Sequence, residues 1–228
     1  MNAHPVLISA GIGYLLGSIP FGYLLVRIFC GADVRATGSG NIGATNVARM
    51  SAKLGVITLL LDALKGAAAV ATAGAFSLPE LMFWIDSNAP PYPEHPWTPL
   101  PVAVTTRATI GALCAIVGHV FPVWLKFRGG KGVATALGAF VLLAPRAMVA
   151  AVGVFVLVTL VSRYISLGSV SAATTFPLFV RVFYREEGFT FGAMTAICAG
   201  SALIVAKHHS NIRRILVGTE PRFHLKHK

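Results

Sequence analysis

Along the chain, apolar stretches of helical length alternate with short polar segments rich in glycine and basic residues. A helix that crosses a bilayer needs roughly 20 apolar residues, and a shorter one serves where it ends against protein. On that basis the pattern predicts seven transmembrane helices, about Val6–Ile28, Leu54–Phe76, Ala108–Leu125, Val133–Ala144, Ala147–Ser162, Leu167–Phe183 and Phe189–Ala206. The fourth and fifth are short and meet at Ala144-Pro145-Arg146-Ala147. The proline ring there removes a donor and blocks the preceding turn. Two helices are expected, with one long bent helix as the alternative. No basic residue precedes the first helix and no small-residue cleavage site follows it, so it is expected to be a retained span rather than a signal peptide. The stretch from about 77 to 107 is proline-rich, lacks a helical period and reads as an outer loop. The expectation is one all-α integral membrane domain over residues 1–228.

Composition strengthens this picture. Of the 228 residues 55% are hydrophobic and 12% charged, and the mean hydropathy of +0.73 lies outside the range of ordinary soluble domains. A formal charge of +11 in a polar chain would suggest nucleic acid. Here the basic residues stand between apolar runs instead of covering one face, so no nucleic acid is expected, and an anionic ligand or lipid headgroup is the better partner. Their distribution orients the chain. With the N-terminus outside, the cytoplasmic side holds Arg27, Arg35, Arg49, Lys53, Lys126, Arg128, Lys131, Arg163, Lys207, Arg213, Arg214, Arg222, Lys226 and Lys228, fourteen of the nineteen cations. The outer side keeps Arg107, Arg146, Arg181 and Arg185 together with five acids, Glu80, Asp86, Glu94, Glu186 and Glu187, and Lys65 lies within a helix. The expected topology is therefore N-terminus outside and C-terminus cytoplasmic, with a basic tail from about 207 to 228. Cys30, Cys114 and Cys198 show no CxxC spacing and carry no redox or metal signal.

That topology puts three polar segments on one membrane face. The first, GSGNIGATN, offers small residues whose N–H groups can turn toward one spot, with the side chains of Ser39, Asn41, Thr45 and Asn46 and, just after, Arg49. Such a loop suits an oxyanion. The second, KFRGGKG, sets Lys126, Arg128 and Lys131 around Gly129 and Gly130, glycines that would let the backbone approach a ligand. It is not a Walker A loop, because Lys131 is followed by Gly132, and Leu125 stands where a glycine is required. The third brings His208, Asn211, Arg213 and Arg214, with Glu220 after them. Each piece alone has a plainer explanation. Glycines pack membrane helices together, and basic residues at helix ends snorkel or set topology. His119 is expected to be a structural hydrogen-bonding residue. Asp62 and Lys65, three apart in the second helix, are expected to pair, since isolated charges inside a membrane are expensive. No metal-ligand cluster is visible, and no cofactor is expected.

The stretches GSGNIGATNVAR, LLDALKG, GHVFPVWLKFRGGKGVAT, SRYISLGS and HHSNIRRILVGTE, in this order, resemble the bacterial acyl-phosphate-dependent glycerol-3-phosphate acyltransferases. The likeness covers nearly the whole chain. It implies a seven-helix inner-membrane enzyme, with its active site at the cytoplasmic face. Such an enzyme moves a fatty acyl group from acyl phosphate to the 1-position hydroxyl of glycerol 3-phosphate, giving lysophosphatidic acid and inorganic phosphate in the first step of phospholipid synthesis. Neither acyl-CoA nor acyl carrier protein would be the donor. Carried over by motif, the resemblance implies catalytic roles for Ser39, Arg49, His208 and Asn211. It implies substrate contacts from Asn41, Thr45, Asn46, Lys65, Lys126, Arg128, Gly129, Gly130, Lys131, Ser166 and Arg213. Structural roles would fall to Asp62, His119 and Glu220.

The chemistry of the residues agrees with that implication. Both substrates carry phosphate, and an acyl phosphate is already activated, so position and charge matter more than a covalent nucleophile. No G-x-S-x-G elbow is present. The residues five after His4, His95, His119, His208 and His209 are Ser9, Leu100, Trp124, Arg213 and Arg214, which argues against the H-x4-D type of glycerolipid acyltransferase. A lipid phosphatase would want an acid to orient its distal histidine, which HHSN lacks. The remaining alternative is a membrane transporter of an organic phosphate anion. That would want an internal repeat and a midplane site, and the chain shows neither.

Overall fold

In the computed structural model, which describes residues 3–75, 102–185 and 189–223, all regular structure among those residues is helical. The first long apolar stretch is broken. α1 (Ala3–Ser18) ends before Ile19-Pro20, where proline disfavours helix at the residue before it, and α2 (Phe21–Cys30) ends at Gly31, whose φ of 65° is a left-handed cap. A 3₁₀ turn over Val34–Ala36 and a short helix, α3 (Ala44–Met50), follow. The sequence pattern predicts no helix in this segment. The next helix, α4 (Ala52–Ala75), begins after a single intervening residue.

α5 (Val102–Val120) starts earlier than expected, so Arg107 is helical, and stops earlier, because Pro122 turns the chain into a 3₁₀ turn over Val123–Leu125. α6 (Val133–Leu143) and α7 (Pro145–Ser162) are two helices, broken at Ala144, with Pro145 in the first turn of α7 where its missing donor does no harm. α8 (Ile165–Phe183) carries Pro177 inside it. α9 (Phe191–Lys207) opens on Thr190, whose hydroxyl accepts the Ala193 N–H. Beyond His208 the chain bends by 48° into α10 (His209–Leu216), a helix the sequence reading did not anticipate in the basic tail. The proline-rich stretch lies outside the described residues, apart from the part that has become α5.

Among the described residues, five spans are long and apolar enough to cross a bilayer: His4–Cys30, Ala52–Ala73, Val104–Leu125, Pro145–Ser162 and Ile165–Phe183. A sixth results if α9 and α10 count as one bent span. With eleven residues, α6 reaches only about 16 Å, roughly half the hydrocarbon thickness. It is tolerable because it is enclosed, with Thr135, Ala136, Ala139 and Phe140 all buried. Leu60, Leu157, Val161 and Leu178 point outward as a lipid-facing surface does.

α5 is the hub, packed by α1, α4, α6 and α9, while α7 pairs with α8, and α8 with α9. Small residues permit this closeness. A Cβ on Gly17 would overlap the Ala115 backbone, one on Gly118 the Tyr14 carbonyl, and one on Gly138 the Ala63 backbone. One apolar core joins α5, α6, α8 and α9 through Ile116, Val120, Phe140, Phe176, Ile197 and Ile204. A smaller one lies under the first polar segment and includes Val26, Val34, Ile42, Val47 and Leu54. Leu125, from the turn before the glycine loop, is buried in this second core, which ties the two loops together.

Candidate functional site

The first loop is built on Asn46. Its side chain is almost fully buried, and its amide donates to the carbonyls of Val34, Thr37 and Asn41 at 3.0, 3.1 and 2.9 Å while its Oδ1 accepts the Ser39 N–H at 2.9 Å. With its whole polar end engaged, Asn46 shapes the loop and presents nothing to a ligand. Asn41 likewise caps the Gly43 N–H at 2.8 Å. Gly38 and Gly40, at φ of 57° and 69°, supply the left-handed turns. The result leaves Ser39 and Thr45 exposed, with Arg49, in the last turn of α3, passing beside Gly38.

The glycine loop is held differently from expectation. Lys126 and Phe127 both adopt left-handed backbone, at φ of 53° and 61°, a strain of about 1–3 kcal/mol per residue that recurs at functional sites. Backbone bonds from Lys126, Phe127 and Arg128 to the Val123, Pro122 and Leu125 carbonyls hold the turn. Gly129 and Gly130 do not open toward a ligand. Their N–H groups donate to the Val120 and His119 carbonyls at 3.1 and 2.9 Å, and the space where their Cβ atoms would sit is filled by α5. Lys131 follows, at the uncapped N-terminus of α6, where helix N–H groups favour an anion.

Lys131 begins a chain of polar contacts that crosses into the tail. Its ammonium donates to Asn211 Oδ1 at 2.6 Å, and the Asn211 amide donates to Glu220 Oε1 at 2.7 Å. Ser166 Oγ donates to the same carboxylate oxygen, and Arg214 Nε to the other, each at 2.7 Å. Ser166 therefore anchors Glu220, its single proton already committed, and does not stand ready as a phosphate donor. Arg213 is exposed, and its neighbour Arg214 closes the network. His208 is buried where α9 gives way to α10. Its Nδ1 lies 2.7 Å from the Ile204 carbonyl. A carbonyl only accepts, so Nδ1 bears the proton and Nε2 is left as an acceptor.

Electrostatics follow from this packing. Burial pushes the Lys131 ammonium down to about 8, with Arg214 and Arg49 lowering it further and Glu220 opposing them. The charge of Arg49, in the first segment, thus reaches Lys131 of the second. Burial also takes His208 down to about 4, the Ile204 hydrogen bond opposing and Lys131 adding to the shift. Burial would raise the Glu220 carboxyl, but hydrogen bonds from Asn211, Ser166 and Arg214 hold it below its usual range.

An open cleft of about 620 Å³ connects the first loop to the glycine loop, lined by Asp33, Arg35, Ala36, Gly40, Phe127, Arg128, Gly129 and Lys207. The sequence motifs assign no site role to Asp33, Arg35, Phe127 or Lys207, of which Arg35 and Lys207 stand only among the expected cytoplasmic cations. Only the Asp33-Val34-Arg35 spacing, which forms an ion pair at 2.7 Å, could have pointed to part of the cleft wall. A second cavity, lined by Arg181, Tyr184, Phe191 and neighbours, lies at the other end of α8 and α9 and includes none of these residues. Lys65 also stands away from the open cleft. Its side chain is buried, with Nζ 2.8 Å from Asp62 Oδ1 and donating to the Ile19 carbonyl at 2.8 Å. The expected Asp62–Lys65 pair is thus present, and its lysine faces protein. Among the described residues, no group of three or more His, Cys, Asp or Glu side chains is placed to hold a metal ion.

The chain is similar to proteins of known kind over almost all its length. A sequence model described as glycerol-3-phosphate acyltransferase matches residues 7–218. The glycerol-3-phosphate acyltransferase of Trichlorobacter lovleyi is 46% identical over 211 residues, covering 92% of this chain and 93% of that one. The corresponding protein of Geobacter sulfurreducens is 41% identical, with 95% and 97% covered. The crystal structure of PlsY, an integral membrane glycerol 3-phosphate acyltransferase, in its glycerol 3-phosphate form superposes with a TM-score of 0.76 at 34% identity, covering 96% of each chain. Its lysophosphatidic acid form superposes with a TM-score of 0.73 at 33% identity, covering 96% of this chain and 95% of that one.

Proposed function

This chain belongs to the glycerol-3-phosphate acyltransferase family, and from that premise we propose that it transfers a fatty acyl group from acyl phosphate to the 1-position hydroxyl of glycerol 3-phosphate. The products are lysophosphatidic acid and inorganic phosphate, and the step opens phospholipid synthesis. The observation that carries this reading is the meeting of three polar segments. Lys131, Asn211 and Glu220 form one hydrogen-bonded chain, Arg49 acts on Lys131, and the first loop shares a cleft with the glycine loop.

In this proposal Lys131, Arg128 and the N-terminus of α6 hold the glycerol 3-phosphate phosphate, as an uncapped helix end beside a lysine suits an anion. Ser39 and Arg49 face the acyl phosphate, whose chain lies between helices in the bilayer. The glycerol hydroxyl oxygen attacks the acyl carbon, the anhydride C–O bond breaks, and phosphate leaves with the electron pair. Arg49 and Lys131 stabilise the charge that gathers on the carbonyl and leaving oxygens. The hydroxyl proton passes to a phosphate oxygen of a bound substrate, and His208 Nε2 orients the hydroxyl. Asn211, fixed by Glu220, sets Lys131 and the hydroxyl in place. No carrier protein or coenzyme A is required, because the leaving group is already good.

The architecture proposed with this activity is seven spans, α6 counted as a short one, in a single unit over residues 1–228. The N-terminus is outside and the three polar segments are at the cytoplasmic face of the bacterial inner membrane. Purified protein offered acyl phosphate, acyl-CoA and acylated carrier protein in parallel should acylate glycerol 3-phosphate with the first alone. Turnover with a thioester donor would overturn the donor assignment. Accumulation of labelled glycerol 3-phosphate in vesicles, with no acyl transfer, would replace the enzyme by a transporter.

A further inference from the structure

Beneath the glycine loop lies a buried group of polar side chains that the proposed mechanism leaves idle. His119, in the last turn of α5, is 3% exposed, and its Nδ1 faces Asp62 Oδ1 across 3.6 Å, an electrostatic contact longer than a hydrogen bond. Asp62 in turn meets Lys65, and Lys65 donates to Ile19 and lies 5.7 Å from the Phe21 ring. The group thus joins the α1–α2 break, the middle of α4 and the end of α5. On its other side, the His119 ring faces Gly130. A Cβ built on Gly130 would overlap Nε2 of that ring, and Cδ2 and Cε1 would lie 2.8 Å away. The Gly130 N–H is bonded to the carbonyl of the same histidine at 2.9 Å. Gly130 is therefore closed to a ligand both through its N–H and through the space beside its Cα.

We propose that His119 is a positioning residue of the phosphate site. Its ring, backed by Asp62 and Lys65, occupies the place of a side chain at Gly130 and thereby sets the loop that aims Lys131. Glycine is required at 130 to admit an imidazole, and a ligand's approach plays no part in that requirement. Removing a charge from the buried Asp62–Lys65 pair would leave its partner uncompensated in the membrane, so His119 and Gly130 are the positions at which the idea is tested. The inference rests on the reading of Lys131 as the phosphate-holding cation.

The test is a double-mutant cycle between Gly130→Ala and a shortened side chain at 119, read as kcat and KM for glycerol 3-phosphate on purified enzyme, with thermal unfolding recorded for every variant. Alone, Gly130→Ala should lower kcat/KM about tenfold or more. Added to His119→Ala or to His119→Asn, it should cost less than about threefold, the non-additivity expected of two residues in contact. Two backgrounds are used so that one folded pair suffices, and Asn keeps a polar group opposite Asp62. His119→Asn should also raise KM more than it lowers kcat, an effect that loss of stability alone does not produce. An equal Gly130→Ala penalty in all backgrounds would show that the glycine serves the ligand and would overturn the proposal. So would a His119→Asn enzyme that is less thermostable with an unchanged KM. Lys131→Ala run alongside separates the two layers: if it leaves KM unchanged, the reading of Lys131 itself fails.

Discussion

Lys131 holds its charge in a half-buried place, and its response to pH follows from that. Its ammonium, at about 8 in the free protein, is charged below that pH and neutral above it, so phosphate capture should weaken as pH rises through 8. The limb belongs in kcat/KM, which reports the free enzyme. Lys131→Arg should remove the limb, since guanidinium stays protonated. His208, at about 4, is neutral across the working range and should contribute no limb near 6.5. His208→Gln should therefore retain the shape of the profile and keep more activity than His208→Ala. An acidic limb near 6.5 that vanished with both substitutions would return the proton to His208 as general base. For stability the sign is the same as for any depressed histidine. The unfolded chain takes up the proton first, so folding weakens as pH falls from 6.5 toward 4.

At the scale of helices, the molecule relies on small residues to bring α4, α5 and α6 together. Gly138 meets the Ala63 backbone, and Gly66 the Thr135 backbone, so each helix places a glycine against the other. Gly138→Ile should separate them, at a cost of about 1–3 kcal/mol for overpacking, seen as a lower unfolding temperature in detergent micelles. Gly153, in the exposed part of α7, has no atom within 4 Å of its missing Cβ. Gly153→Ala should be neutral or stabilising by about 1 kcal/mol, as alanine is the better helix former. Equal behaviour of the two variants would argue against the tight α4–α6 seam. The helix ranges were legible because apolar runs, prolines and glycines act locally. The break at Pro20 was passed over because apolar character continues unbroken through it, and α3 and α10 because helices of seven and eight residues draw their stability from packing rather than from a pattern of their own.

For the whole molecule, the proposed topology puts fourteen cations inside and four outside. After replacing Cys30, Cys114 and Cys198, single cysteines near Ser39, near Gly129 and in the tail should react with an impermeant thiol reagent only from the cytoplasmic side. One at position 92 should react only from outside. Labelling of the glycine loop from outside would separate it from the tail and contradict the shared site.

Taken by itself, the sequence determined that the chain is helical, apolar and basic at intervals, which short polar segments carry its chemistry, and that Asp62 pairs with Lys65. Each of these depends on residue type and near spacing. Tertiary structure decided what each polar group does once its neighbours are known. Asn46 and Ser166 read as ligands in the sequence because amides and hydroxyls can bind phosphate, but a donor already bonded to a carbonyl or a carboxylate is not available. Gly130 looked like an opening for a ligand, and it is filled by a histidine eleven positions away in the chain. Arg35 and Lys207, far apart in sequence, line one cleft. Composition limits what a residue is able to bind, and only packing fixes which partner reaches it first.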